Sequence, residues 1–354
     1  MNDQTDTSRL HRMMMPYESP RHTVVAFSLI ASKPQIIGSG PNDTQAPWED
    51  LIFEIGSITK VFTGILLCVL VEEGKIDPHA PFSELSDALS DVPSSITPER
   101  LASHTSGLPN IYAPIWKVLF QQRPDGPYAG FTRRDLFTWL HNWHAKDSGG
   151  NLRHSYSNLG AGLLGEAMAM QAGRPFTELL AERVIHPLGL TDTTGDLDGD
   201  QRSRFMFPRN TADRPVIPWT FDALAGAGYL RSTARDLARF SRSVVQAINA
   251  PETVLDYAIK RSAKPIFGVG RRGSSHLFAQ CSGWMSMKPD PSGPTSLFAN
   301  GGTAGSTCAL FLCPEKERAI AILSNNGVAA SLWARTKLSW SSPTRQAHDY
   351  FTAG

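Results

Sequence analysis

The residue types best suited to chemistry are a serine and a lysine in the stretch Phe53-Glu54-Ile55-Gly56-Ser57-Ile58-Thr59-Lys60. The apolar run from Val61 to Val71 follows at once and closes on Glu72-Glu73-Gly74, so it reads as a buried helix with Gly74 as its stop. Gly56 permits a sharp turn into that helix. Ser57 then falls in the first turn, where backbone N–H groups lack intrahelical partners and the helix dipole is positive. Lys60, three residues on, shares its face. A hydroxyl, an amine that can take its proton and a free N–H beside both are what an acyl-transfer nucleophile needs. The same spacing also arises by chance, and a serine at a helix start is more often a simple N-cap. Against that plain reading stands Lys60, which opens a buried helix at the end whose dipole disfavours a cation.

Two other stretches carry candidate groups. In His154-Ser155-Tyr156-Ser157-Asn158, a phenol and an amide sit two residues apart just before an apolar helix. Taken alone it reads equally as a capping segment, with Ser157 or Asn158 as N-cap and Tyr156 packed against the helix start. Phe298-Ala299-Asn300-Gly301-Gly302-Thr303-Ala304-Gly305 reads by itself as a glycine-rich strand end or hairpin turn. His141 and His144 have helical spacing but no third ligand at fitting distance, so no metal is expected. No organic cofactor is expected either, because no glycine-rich loop has phosphate-binding spacing.

The elements that must position these groups follow from patterning. Residues 1–20 read as a flexible N-terminal arm, and 23–30 with 35–38 as a β-hairpin. From about 77 the chain turns loop-rich and then mainly helical, with helices expected near 98–103, 134–142, 157–171 (Gly173 as stop), 175–185 and 233–247. Strand character returns at 284–287, 307–312 and 319–323, and a helix with a frayed tail is expected from about Ala329. Strands at both ends with helices between suggest an α/β (α+β) protein. Residues 21–76 and 265–354 would build one sheet domain, residues 77–264 a mostly helical inserted domain, and Ser57 would lie at the floor of the cleft between them.

Composition narrows the function classes. A formal net charge of +1 over 354 residues, with no basic stripe, argues against nucleic acid and anionic lipid as main ligands. The polar N-terminus lacks an apolar signal core, and the longest apolar run is too short to span a bilayer. The four cysteines, Cys68, Cys281, Cys308 and Cys313, show no Cys-x-x-Cys spacing, which fits reduced thiols and a cytoplasmic location.

Together, the three stretches resemble the serine β-lactamase-like superfamily, most closely its class C β-lactamase, penicillin-binding protein and family VIII esterase branch. That branch carries Ser-x-x-Lys, then Tyr-x-Asn, then a Lys- or His-x-Gly strand. Leu101–Pro109, Pro187–Thr193, Tyr229–Leu237 and Leu323-Ser324-Asn325 also look family-like. The resemblance implies an antiparallel sheet flanked by helices. It makes Ser57 the nucleophile, with Lys60 and Tyr156 sharing proton transfer and Asn158 holding Lys60 and the substrate. The Ser57 and Thr303 N–H groups, the latter just after Gly302, would form the oxyanion hole. Asn300 would stand where relatives have a cation or imidazole, which leans towards an uncharged substrate unless Arg271, Arg272 or Lys288 supplies charge. The expected activity is hydrolysis of a small-molecule ester, amide or lactam. Acyl transfer, D-amino-acid peptide cleavage or transpeptidation, and a non-catalytic acyl-binding sensor or scaffold are the alternatives, and the oligomeric state is left open.

Overall fold

A computed structural model describes residues 3–31, 33–84, 92–113, 125–143, 153–269, 278–288 and 292–330, with a few isolated positions besides. The C-terminal helix expected from Ala329, His144 and the Arg271-Arg272 pair lie outside the described residues or at their edge.

Ten strands are described: β1 Val24–Ile30, β2 Lys33–Ser39, β3 Ile52–Glu54, β4 Arg231–Thr233, β5 Phe267–Gly268, β6 Phe278–Gln280, β7 Met285–Met287, β8 Ser296–Gly302, β9 Thr307–Cys313 and β10 Arg318–Ser324. Eight of them form one sheet in the order β2-β1-β10-β9-β8-β7-β6-β5, with every neighbouring pair antiparallel. The N-terminal hairpin therefore inserts beside the last strand, and the two ends of the chain share one sheet as the patterning implied. β3 and β4 make a separate two-stranded ribbon that ties the approach to Ser57 to the start of a later helix.

Both faces of the central strands are covered. Alternate residues Val25, Phe27, Leu29, Leu310, Leu312, Ala319, Ala321 and Leu323 join the main core with helix α2, Thr59–Glu72. The intervening residues Val24, Ala26, Phe311, Ile320 and Ile322 join a second cluster on the opposite face. There Leu10, Met13, Met14 and Tyr17 are buried, because α1, Asp3–Met14, docks on the sheet. The expectation of a flexible arm over residues 1–20 is thus corrected for this helix. Leu10, Met13 and Met14, at i, i+3 and i+4, make an apolar stripe that only a sheet face can cover.

Helix α2 is buried from Thr59 to Leu70, so its stability comes from packing more than from propensity. Removing one of its fully buried leucines, Leu66→Ala, would cost about 2–5 kcal/mol. The helix stops where Gly74 takes φ +67 and Lys75 N–H closes back on the Leu70 carbonyl at 2.8 Å. Helix α3, Asn158–Ala172, has Ser157 as N-cap, its hydroxyl accepting from Gly160 N–H, and Gly173 as left-handed stop. Helices α4, Ala234–Asn249, and α5, Val254–Ser262, fall within the 77–264 segment but pack with the sheet layer, α4 on β1 and β10 and α5 on α2. Among the described residues no helix is long and apolar enough to cross a membrane, and the four cysteines are free and buried.

Candidate active site

Ser57 sits in a 3-10 turn, Gly56–Ile58, that feeds directly into α2. Gly56 takes φ +49 to make the turn. Lys60 Nζ lies 3.1 Å from Ser57 Oγ and donates to the Ala227 carbonyl at 2.6 Å. The lysine is only 4% exposed, and burial pushes its pKa well below the ordinary lysine value. Lys60 Nζ thus donates to both the Ala227 carbonyl and Ser57 Oγ, and its burial favours the uncharged form that could take the serine proton.

Tyr156 closes the group from the other side of the chain. Its hydroxyl donates to Ser57 Oγ at 2.7 Å, and Lys60 Nζ stands 4.8 Å from its ring centroid. Its ring is 41% exposed, at the mouth of the site. His104 braces this segment: its ring lies 4.6 Å from the Tyr156 ring, its Nδ1 accepts from Ser157 N–H at 3.2 Å, and its carbonyl accepts from Ser155 N–H at 2.8 Å. Burial lowers the His104 pKa to about 3, so the ring is neutral and free to accept. His154 pairs with Gln280 at 3.1 Å. Both histidines are held by partners other than Ser57.

Two of the residues that were expected at the site take other partners. Asn158 donates through its side-chain amide to Tyr128 Oη at 2.6 Å; the Ala227 carbonyl, not Asn158, holds Lys60. Thr303 spends its N–H on the Ser306 carbonyl at 3.0 Å, so that amide does not face Ser57. This bond makes Thr303 and Ser306 the hydrogen-bonded pair of the β8–β9 turn, and the preceding pair, Gly302 with Thr307, must then point its backbone groups outward. The outward side faces the nucleophile turn: a Cβ placed on Gly56 would stand 2.7 Å from Gly302 N and 2.9 Å from its O. The β7–β8 ladder ends at Met285–Phe298, so Ala299–Gly302 have no β7 partner in that register.

The strand alternation also moves Asn300. Leu297 and Ala299 belong to the main core beside α2, and a Cβ on Gly301 would overlap the Ile55 carbonyl and lie 3.3 Å from Ser57 N. Phe298 packs on the opposite cluster, and the exposed Asn300 shares its face. Asn300 is therefore not the side chain that looks at Ser57. Ala299 occupies that face, one residue earlier than the motif reading placed it.

Sequence reasoning missed Glu54, Tyr128 and the Ala227 carbonyl. Glu54 had a visible signal, as the single charge between Leu51 and Thr59. It is 4% exposed and accepts Trp219 N–H at 2.8 Å and the Thr303 hydroxyl at 2.6 Å. Burial raises its pKa, and the Thr303 hydrogen bond and nearby Arg231 offset part of that rise. Among the described residues no cluster of His, Cys, Asp or Glu could hold a metal ion.

A serine at the start of a buried helix, bonded by a lysine one turn on and by a tyrosine 99 residues further along the chain, beside the end of a strand in an antiparallel sheet, defines the class: the serine β-lactamase-like superfamily. The chain belongs to the Beta-lactamase family, whose model matches residues 33–337. It is 27% identical over 292 residues to the D-alanyl-D-alanine-carboxypeptidase/endopeptidase AmpH of Escherichia coli K12, covering 78% of this chain and 71% of that one. It is 29% identical over 219 residues to a β-lactamase of Providencia stuartii, covering 61% of this chain and 53% of that one. The solved class C β-lactamase of Rhodobacter sphaeroides shares the fold at a TM-score of 0.78, with 19% identity and 99% of each chain covered.

Proposed function

We propose that the protein is a serine hydrolase that opens uncharged esters or amides through an acyl-Ser57 intermediate. The observation that carries this reading is that Ser57 Oγ is bonded at once by Lys60 Nζ, 3.1 Å away, and Tyr156 Oη, 2.7 Å away. As Oγ attacks the substrate carbonyl, its proton passes to the Lys60 amine, whose burial favours the uncharged form. Tyr156, nearest the mouth, passes a proton to the leaving group as the tetrahedral intermediate collapses. The Ser57 N–H, in the first turn, and the outward Gly302 N–H stabilise the oxyanion. Water then releases the acyl group by the reverse proton path.

The substrate preference rests on β8. Leu297, Ala299 and Gly301, the residues on the Ser57 side, carry no charge, so a substrate carboxylate would lose water there without a cation from this strand to replace it. Tyr128, stacked on Phe221 at 5.3 Å and edge-on to Trp219 at 5.6 Å, links Asn158 to the Glu54 side of the site with an aromatic wall. Both features favour a neutral, partly apolar acyl or leaving group. The AmpH and β-lactamase relatives make peptide and lactam amides the second reading.

The test is a panel of nitrophenyl esters, a penicillin and a D-alanyl-D-alanine peptide, followed by turnover and by intact-protein mass. Steady ester turnover is expected, with acylation mapped to Ser57 and lost in Ser57→Ala. Labelling at another serine would overturn the nucleophile assignment, and a burst without turnover would favour an acyl-binding sensor.

A further inference from the structure

We propose that Glu54 is a positioning residue for the oxyanion site: through Thr303 it fixes the β8–β9 turn against the Ser57 turn. This rests on the reading of the Ser57 and Gly302 amides as oxyanion donors. Glu54 ends β3 only three residues before Ser57, and its carboxylate reaches a residue 249 positions away, directly after Gly302. The two donors sit on separate segments, and Glu54–Thr303 is a buried side-chain bond between those segments.

The direction of the bonds gives the carboxylate its purpose. Both Glu54 carboxylate oxygens accept here. The carboxylate takes Trp219 N–H on Oε1 and forces the Thr303 hydroxyl to donate to Oε2, at 2.8 and 2.6 Å. The Thr303 oxygen then keeps its lone pairs for the turn and accepts from Ser306 N–H at 3.1 Å. That bond, with Thr303 N–H to the Ser306 carbonyl, sets the pair whose geometry turns Gly302 outward. A glutamine at this position would present an NH2 to the Thr303 hydroxyl and reverse the chain. The neighbouring Cys308 thiol adds a second tie by donating to the Glu54 carbonyl at 3.3 Å. Burying a carboxylate is costly, and Arg231 offsets only part of that cost. Arg231 itself donates to the Gly195 and Trp219 carbonyls.

The experiment compares wild type with Glu54→Gln, Thr303→Val and the double variant, each checked for a folded thermal transition. Three quantities are read: kcat and KM for a neutral nitrophenyl ester, and the affinity of an arylboronic acid, whose tetrahedral adduct on serine reports the oxyanion site. Loss of one oxyanion donor costs about 10²–10³ in rate, so a misaligned one should lower kcat about 10- to 10²-fold. KM should change less than about threefold, boronate affinity should fall by the same factor as kcat, and the double variant should be no worse than either single one. Thr303→Val keeps the side-chain volume and removes only the hydroxyl, so it reads the same link if Glu54→Gln fails to fold. Unchanged kcat and boronate affinity in either folded variant would overturn the proposal while leaving the hydrolase reading intact. A wild type that neither turns over esters nor binds the boronate would overturn both.

Discussion

Substituting Gly56 by alanine separates two roles of one glycine, its left-handed backbone and its closeness to Gly302. Gly56 has φ +49, and an added Cβ would meet Gly302 N at 2.7 Å and O at 2.9 Å. Ordinary contact begins near 3.4 Å, so the nucleophile turn and β8 must separate by about 0.5–0.7 Å. Both atoms belong to backbone, which cannot swing aside as a side chain would. The left-handed conformation adds about 1–2 kcal/mol for any residue with a Cβ, and overpacking adds about 1–3 kcal/mol. A misplacement of 1 Å at a reacting centre costs about 10²-fold, so a little over half of that predicts a fall in kcat of about 10- to 30-fold. The control is Gly74→Ala. Gly74 has φ +67 and nothing within 4 Å of its added Cβ, so it carries the backbone cost alone. Ester kinetics and urea unfolding on both variants decide the matter: Gly74→Ala should lose about 1–2 kcal/mol of stability with kcat unchanged, while Gly56→Ala should lose more stability and most of its kcat. A Gly56→Ala variant with wild-type kcat would refute the closeness of Gly302 to the reacting centre.

Tyr156→Phe should lower kcat about 10²–10⁴-fold if the phenol relays the proton, since its hydroxyl lies 2.7 Å from Ser57 Oγ; a loss below tenfold would leave the transfer to Lys60 alone. Lys60→Met should abolish turnover and also change how stability depends on pH. The folded-state pKa of Lys60 lies below its unfolded value near ~10.4, so the unfolded chain holds more protons in that window, and wild type gains stability as pH rises through it. Urea unfolding at pH 7 and pH 10 should therefore show wild type gaining on Lys60→Met by about 1.4 kcal/mol for each pH unit of that interval lying above the folded-state pKa, and parallel behaviour would contradict a buried, depressed amine. Asn300→Lys should change kcat/KM for both a penicillin and a neutral ester less than about twofold, because Asn300 lies on the sheet face opposite Ser57; a gain with penicillin alone would put its side chain back at the site.

The local signals that the sequence carried were those set by short-range physics. The unbroken apolar run after Lys60 requires a buried helix, the left-handed glycines at 74 and 173 stop their helices, and Ser157 caps α3 because its hydroxyl reaches an N–H three residues on. Ser57 and Lys60 meet because helical spacing stacks i and i+3. Tertiary structure decided what lies across chain separation. α1 looked like a polar arm because only three of its apolar residues form a stripe, and the sheet face that covers them is built from the two ends of the chain. Asn158 turned to Tyr128, and Lys60 took a carbonyl 167 residues away, because contacts of that range follow from packing and not from motif spacing. The glycine-rich strand is the sharpest case. Side chains on a strand alternate with period two, so a one-residue offset exchanges the two faces. The pairing of β8 with β9, and the Gly301 backbone pressed against Ile55, set that offset: Ala299 faces Ser57, Asn300 faces away, and the outward amide falls on Gly302 instead of Thr303.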